Sequence, residues 1–370
     1  MVMNSPEIAV FLGAGASCAE GAPSQQQLLR EYFNCWRLPD NPLTTDGTDG
    51  SHQLALKNSV ARFLASFFGI DVHSGNLTEI AFPTFEEALS TIELAQAREE
   101  SFVPIGIPRS RDPQSPLRAL RRDLILLIAS IFDVTLSSPG IHHRNLVQAL
   151  AASGKLSKCV FVSLNYDILI DNALIALHPA HDIDYGIGFT NFDLDDEWKR
   201  PRPDSALELI KLHGSLNWLY CPACRSITVT PKEKSVCRLV TKPVRCPKCR
   251  ASVIPIIIPP SYFKVLSNLQ LQVIWHRAEQ ALSHCSKWVF CGYSFPDADI
   301  HVKYLLKRVQ VNSPRYLRIR VANWHNEKVP ELAKQEEQRF HRFFGVKSDV
   351  RYTMKSFEDF CADPLSLLGD

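Results

Sequence analysis

Five short apolar runs, spread along the chain, each break off into small or polar residues. Ile8–Leu12 runs into Gly13-Ala14-Gly15, Cys159–Leu164 into Asn165-Tyr166-Asp167, and Leu207–Leu212 into His213-Gly214-Ser215. Trp288–Cys291 runs into Gly292-Tyr293-Ser294, and Leu317–Val321 leads to Asn323. Brief runs rich in β-branched and aromatic residues read as strands. Helical patterns lie between several of them, such as Leu271–Ser283 and Ile300–Val309. That alternation predicts an α/β fold with a doubly wound, mostly parallel sheet. In such sheets ligands bind beyond the carboxyl ends of the strands, and every polar cluster just named falls there.

The 370 residues are enough for one large domain or two modest ones. A net charge of +2 gives no general case for binding nucleic acid or a membrane surface. Met1–Glu7 lacks the basic start and apolar run of a secretory leader, and the apolar run Leu124–Phe132 is too short to span a bilayer. A cytoplasmic, soluble protein is expected. Eleven cysteines without a secretion signal argue against a disulfide framework.

Ser24 is expected to cap a helix through Leu28, Leu29, Tyr32 and Phe33. Leu38–Gly50 and the Pro/Arg-rich Val103–Pro116 read as loops. Helices are predicted over His52–Phe68, Thr84–Glu100 (opened by a Thr84/Glu87 capping box) and Leu117–Leu136. Residues 38–150 therefore form a helical insertion, a candidate lid or assembly surface.

Two C-x-x-C knuckles, Cys221/Cys224 and Cys246/Cys249, are separated by 21 residues. This spacing fits a closed four-thiolate zinc ribbon, and four protein ligands leave the metal a structural role. Cys237, between the knuckles, is an alternative ligand. Gly13, Ala14, Gly15 and Ser17 form either a pyrophosphate cradle or a tight strand-to-helix turn; Cys18 stands where the full dinucleotide fingerprint has a third glycine. Asn165 and Asp167 are either turn residues or groups for a sugar hydroxyl, a water and an amide. Asp171, one helical turn on, reads as a supporting or surface carboxylate. His213 is either a structural histidine or a proton acceptor. Gly292 and Ser294 suit contact with a ribose or phosphate, and Asp299 suits a helix N-cap.

In combination and in order, these motifs resemble the sirtuin family, over roughly Ile8–Pro23 and Cys159–Asn323. The resemblance implies a Rossmann-type NAD-binding domain (1–37, 151–215 and 255–350), with a small zinc-ribbon module (216–254) and a C-terminal tail (351–370). It implies that Gly13, Ala14, Gly15 and Ser17 line the NAD phosphates. Asn165 would sit at the nicotinamide ribose and Asp167 at the carboxamide, with His213 as the catalytic base. Gly292, Ser294 and Asn323 would hold the adenosine half.

Two departures matter. Gly21-Ala-Pro-Ser-Gln-Gln-Gln stands where deacylases of the family carry an acidic-aromatic-Arg stretch. Ile254–Lys264 replaces the Phe-Gly-Glu segment that pairs with a peptide substrate. With Trp275 and Gly292–Asp299, that stretch resembles the sirtuin-like branch of bacterial antiphage defence, which implies an NAD hydrolase working as a homo-oligomer or with a separate sensor or ATPase partner. The alternatives are an NAD-dependent deacylase and a non-catalytic subunit that binds NAD or ADP-ribose.

Overall fold

A computed structural model describes residues 6–43, 51–103, 115–136, 140–178, 182–192, 196–202, 205–230, 236–237, 239, 244–257, 269–297, 299–325 and 330–369. Residues 44–50 of the expected loop Leu38–Gly50, 104–114 of Val103–Pro116, and 258–264 of the Ile254–Lys264 stretch lie outside them.

The apolar runs form the strands they suggest. The main sheet contains β1 (Ile8–Leu12), β2 (Cys159–Ser163), β3 (Ile183–Asp184), β6 (Leu207–Lys211), β10 (Lys287–Cys291), β11 (Leu317–Ala322) and β12 (Ser348–Thr353). Their order is β12-β11-β10-β1-β2-β6-β3, and every pairing is parallel. All five residues of β1, β2 and β10 are buried, as expected of strands covered on both faces. Phe11 and Phe290, in register on neighbouring strands, stack at 4.3 Å. The chain leaves β1 toward β2 and leaves β10 toward β11, so the switch point lies between β1 and β10.

Register places the polar clusters at one level. Leu12 pairs with Ser163 and Cys291, Ser163 with Lys211, and Cys291 with Ala322. Gly13, Asn165, His213, Gly292 and Asn323 therefore emerge along one rim.

A second sheet contains β4 (Asn191–Phe192), β5 (Asp196–Glu197), β7 (Gly214–Tyr220), β8 (Ile227–Val229) and β9 (Ile254–Ile257), in the order β5-β4-β8-β7-β9. The strand β7 falls where the sequence suggested the start of a zinc ribbon. The knuckles sit at the end of β7 and just before β9.

The insertion helices Ser51–Phe68, Phe85–Ala97 and Ser115–Thr135 appear as expected, and the Thr84/Glu87 capping box has both of its hydrogen bonds. One apolar core joins these helices to the knuckle region, through Ile128, Phe132, Leu216, Leu219, Val244 and Val253. Ser24 does not cap the next helix. Gln27 holds that position, because Ser24 begins a preceding turn and donates its hydroxyl to Gln27 Oε1 at 2.8 Å. In the C-terminal segment, residues 351–353 complete β12, and Phe357, Phe360 and Leu367 enter the main core. No helix among the described residues is long and apolar enough to cross a membrane.

Candidate active site

Two cavities lie along the rim. One, of about 400 Å³, is lined by Asn165, Asp167, His213, Ser17 and Asp299. The other, of about 740 Å³, is lined by Gly15, Cys18, Asn323, Trp324 and Glu336. Ala14, Ser24, Gly292 and Ser294 border both, so the two cavities adjoin as one cleft.

The glycines serve the backbone first. A Cβ on Gly292, where φ is +63°, would stand 2.3 Å from Ala16 N. One on Gly13 would stand 2.6 Å from Gly292 O, and one on Gly15 2.7 Å from Gly292 Cα. Such contacts exclude any side chain, so the three glycines let the β1 and β10 loops interlock at the switch point. Gly15 N–H donates to Gly292 O at 2.7 Å. Gly13 is buried beneath this lock and borders neither cavity, whereas Ala14, Gly15 and Ser17 reach the cleft.

Ser17 links two strand ends. Asn165 Nδ2 donates to Ser17 Oγ and to Gly13 O, both at 2.8 Å. Ser17 Oγ donates to Asp167 Oδ2 at 2.5 Å, and Asp167 Oδ1 accepts Leu169 N–H at 3.0 Å. Both amide protons of Asn165 are committed, so its remaining capacity toward a ligand is the acceptor Oδ1.

His213 occupies the two-residue turn between β6 and β7. Its Nδ1 lies 3.0 Å from Leu164 O. A carbonyl only accepts, so Nδ1 donates and the neutral ring carries its lone pair at Nε2. Trp275 Nε1 donates to Leu212 O at 3.1 Å and pins the same turn. Gly214 follows at φ +80°, and a Cβ there would stand 2.0 Å from Ile256 O; the glycine beside the histidine is a packing requirement. Asp299 stands at the N-cap of the helix Ile300–Asn312, but its side chain makes no capping bond. It turns inward: Oδ2 accepts Tyr293 O–H at 3.2 Å, and Oδ1 lies 3.8 Å from His213 Nε2.

Asn323 behaves as a clamp. Its Oδ1 accepts Tyr293 N–H at 3.1 Å, and its Nδ2 donates to Tyr293 O at 2.7 Å and also to Glu336 Oε1. It borders the larger cavity with its amide protons engaged by protein, so it shapes the loop Gly292–Ser294. Glu336, which sequence reasoning missed, is buried there and also accepts Tyr352 O–H at 2.9 Å. It sits in a charge-rich helix, Pro330–Phe344, where the one signal is its spacing of four and eight residues from the buried Phe340 and Phe344, which puts it on the inward face. Asp171 is wholly buried against Lys211. The insertion adds Thr84, Phe85, Glu86, Ile128 and Phe132 to the wall of the smaller cavity.

The sulfur atoms of Cys221, Cys224, Cys246 and Cys249 all lie within 4.8 Å of one another. Cys221 and Cys249 are 3.4 Å apart, and Cys224 and Cys246 are 3.6 Å apart. Tetrahedral zinc with bonds of about 2.3 Å spaces its sulfurs by nearly this much, so the site fits the metal. Arg225 and Arg250, one residue beyond each knuckle, both have φ above +60°, so the two turns match. The Ser226 hydroxyl, then its backbone N–H, hold the Cys224 thiol down to about 6. Cys237 is not in the cluster; its Sγ faces Ala129 O at 3.3 Å.

A family model described as a SIR2-like domain matches residues 160–343. No curated protein matches the sequence. Among solved structures, one on the mechanism and regulation of Sir2 enzymes aligns at 12% identity, covering 99% of this chain and 94% of that one, with a TM-score of 0.43. A Sir2 complex with a p53 peptide and NAD+ aligns at 14% identity over the same shares, with a TM-score of 0.39. Sir2Tm bound to a propionylated peptide gives 14% over the same shares, with a TM-score of 0.40.

Proposed function

Because the chain carries a SIR2-like domain, we propose that it is an NAD+ hydrolase, cleaving the nicotinamide–ribose bond to give nicotinamide and ADP-ribose. The observation that carries this reading is the convergence of Asn165 and His213, from separate strand ends, on one cavity walled in part by the chain's own insertion. Cleavage expels a neutral nicotinamide and builds positive charge on the ribose. Asn165 Oδ1 would orient a ribose hydroxyl or water, and His213 Nε2 would take the proton that must leave. Asp167, anchored by Ser17, would accept from the carboxamide. Ala14, Gly15, Ser17, Gly292 and Ser294 would border the dinucleotide, with Asn323 shaping the adenosine side. The four cysteines would hold a structural zinc ion.

The likeness of Gly292–Asp299 to the antiphage branch extends the reading to NAD depletion as a cytoplasmic defence response, switched on through oligomerisation or a separate sensor or ATPase partner.

The test is nicotinamide and ADP-ribose release from NAD+ by the purified chain, beside His213→Ala and Asn165→Ala. Each variant is expected to lose at least about 100-fold in turnover while folding normally. Wild-type rates from either folded variant would overturn the assignment. Nicotinamide release only in the presence of an acyl-lysine peptide would replace the hydrolase with a deacylase.

A further inference from the structure

Resting on that hydrolase reading, we propose that Asp299 is a further catalytic residue, holding the attacking water jointly with His213, which takes its proton. Asp299 stands where a helix-capping aspartate belongs but makes no capping bond. Its carboxylate instead lines the His213 cavity and is nearly buried. Burying a carboxylate costs free energy unless it is compensated, and here the Tyr293 hydroxyl donates to Oδ2 at 3.2 Å. Burial, then the neighbouring Asp299 charge, hold the Tyr293 hydroxyl well above its ordinary pKa, so it remains a donor.

The other oxygen faces the imidazole. Oδ1 and Nε2 are 3.8 Å apart, too far for a direct hydrogen bond. With Nδ1 donating to Leu164, both facing atoms are acceptors. A water about 2.8 Å from each can donate one hydrogen to the carboxylate and one to the imidazole. Such a water turns its lone pairs toward the cavity.

The step balances without another reactant. The water oxygen bonds to C1′ of the ribose, and its O–H bond breaks toward His213 Nε2, while Asp299 Oδ1 holds the other hydrogen. The C1′–N bond breaks, and its electrons leave with nicotinamide. The proton then passes to solvent.

Asp299→Asn keeps the shape and the Tyr293 contact but removes the negative charge that holds the water against His213. It is expected to lower kcat for NAD+ hydrolysis about 100-fold, with KM within about threefold of wild type. Asp299→Glu should recover at least about a tenth of the wild-type kcat. Melting curves and NAD+ binding by calorimetry accompany both variants. A folded Asp299→Asn enzyme with wild-type kcat overturns the proposal and leaves the hydrolase reading standing. An Asp299→Asn chain that does not fold assigns the residue to the structure and also counts against the proposal. A wild-type chain that releases nicotinamide only when an acyl-lysine peptide is present removes the hydrolase reading, and the proposal with it.

Discussion

The ammonium of Lys211 lies 2.9 Å from Asp171 Oδ2, and neither side chain has exposed surface. The same ammonium donates to Asp167 O at 2.5 Å, while Asp171 Oδ1 accepts Tyr185 O–H at 2.8 Å. One buried pair thus ties the strand end carrying Asn165 and Asp167 to the one carrying His213. Removing one partner leaves an uncompensated buried charge, which costs about 3–5 kcal/mol. Asp171→Asn and Lys211→Met are each expected to lose that much stability in a denaturant titration. The double variant should lose less than the sum, and strict additivity would show that the pair is not coupled.

Gly292→Ala should be among the most damaging single-methyl changes in the chain. The added carbon meets Ala16 N at 2.3 Å at a left-handed φ of +63°. Backbone strain and overpacking together predict a loss of about 3 kcal/mol. Gly154→Ala, also at positive φ but with nothing within 4 Å, is expected to cost only the strain. Equal melting temperatures for the two variants would contradict the interlock.

Glu20 supplies a pH-dependent anchor. Its carboxylate accepts the backbone N–H groups of Ile141, His142 and His143 at 2.8–3.0 Å, at the start of the helix Ile141–Ala152. Burial acts to raise its pKa, but the His143 side-chain bond and these backbone bonds outweigh it and bring the carboxyl down to about 2. A depressed pKa contributes stability above the unfolded value near 4.5, lost as pH falls toward 2. Glu20→Gln should therefore cost about 1–2 kcal/mol at neutral pH, with the gap to wild type closing over that acidic range. A gap that persists at pH 2 would contradict the assignment.

Zinc content separates the cysteines. Mass spectrometry should find one zinc ion per chain, unchanged in Cys237→Ser and absent in Cys221→Ser. Ser226 Oγ lies 3.1 Å from Cys224 Sγ and 3.2 Å from Cys246 Sγ. Ser226→Ala should weaken zinc affinity about 10- to 100-fold, read by competition with a chelator. Retention of zinc by Cys221→Ser would redraw the ligand set.

Much of the rim was legible because local rules govern it. An apolar run that stops at a polar residue marks a buried strand end, and a capping box marks a helix start. The knuckles were legible because ligand spacing is a local constraint. Ser24 misled because its turn precedes the helix by three residues, and the hydroxyl prefers a side chain nearby. Asp299 was legible as an N-cap position but not as an inward-facing group. That orientation depends on Tyr293 and His213, the latter 86 residues earlier in the chain.

The sequence by itself determined the parallel strands, the insertion, the cysteine cluster and which polar residues stand at the strand ends, since each follows from short-range periodicity or spacing. Only the tertiary structure decided what those residues face. Strand register set Asn165, His213 and Gly292 at one level, and backbone contact made the glycines a lock. The buried Lys211–Asp171 pair and the insertion's share of the cavity wall came from elements far apart in the chain. Such contacts depend on how strands order and helices pack, and no local pattern encodes that.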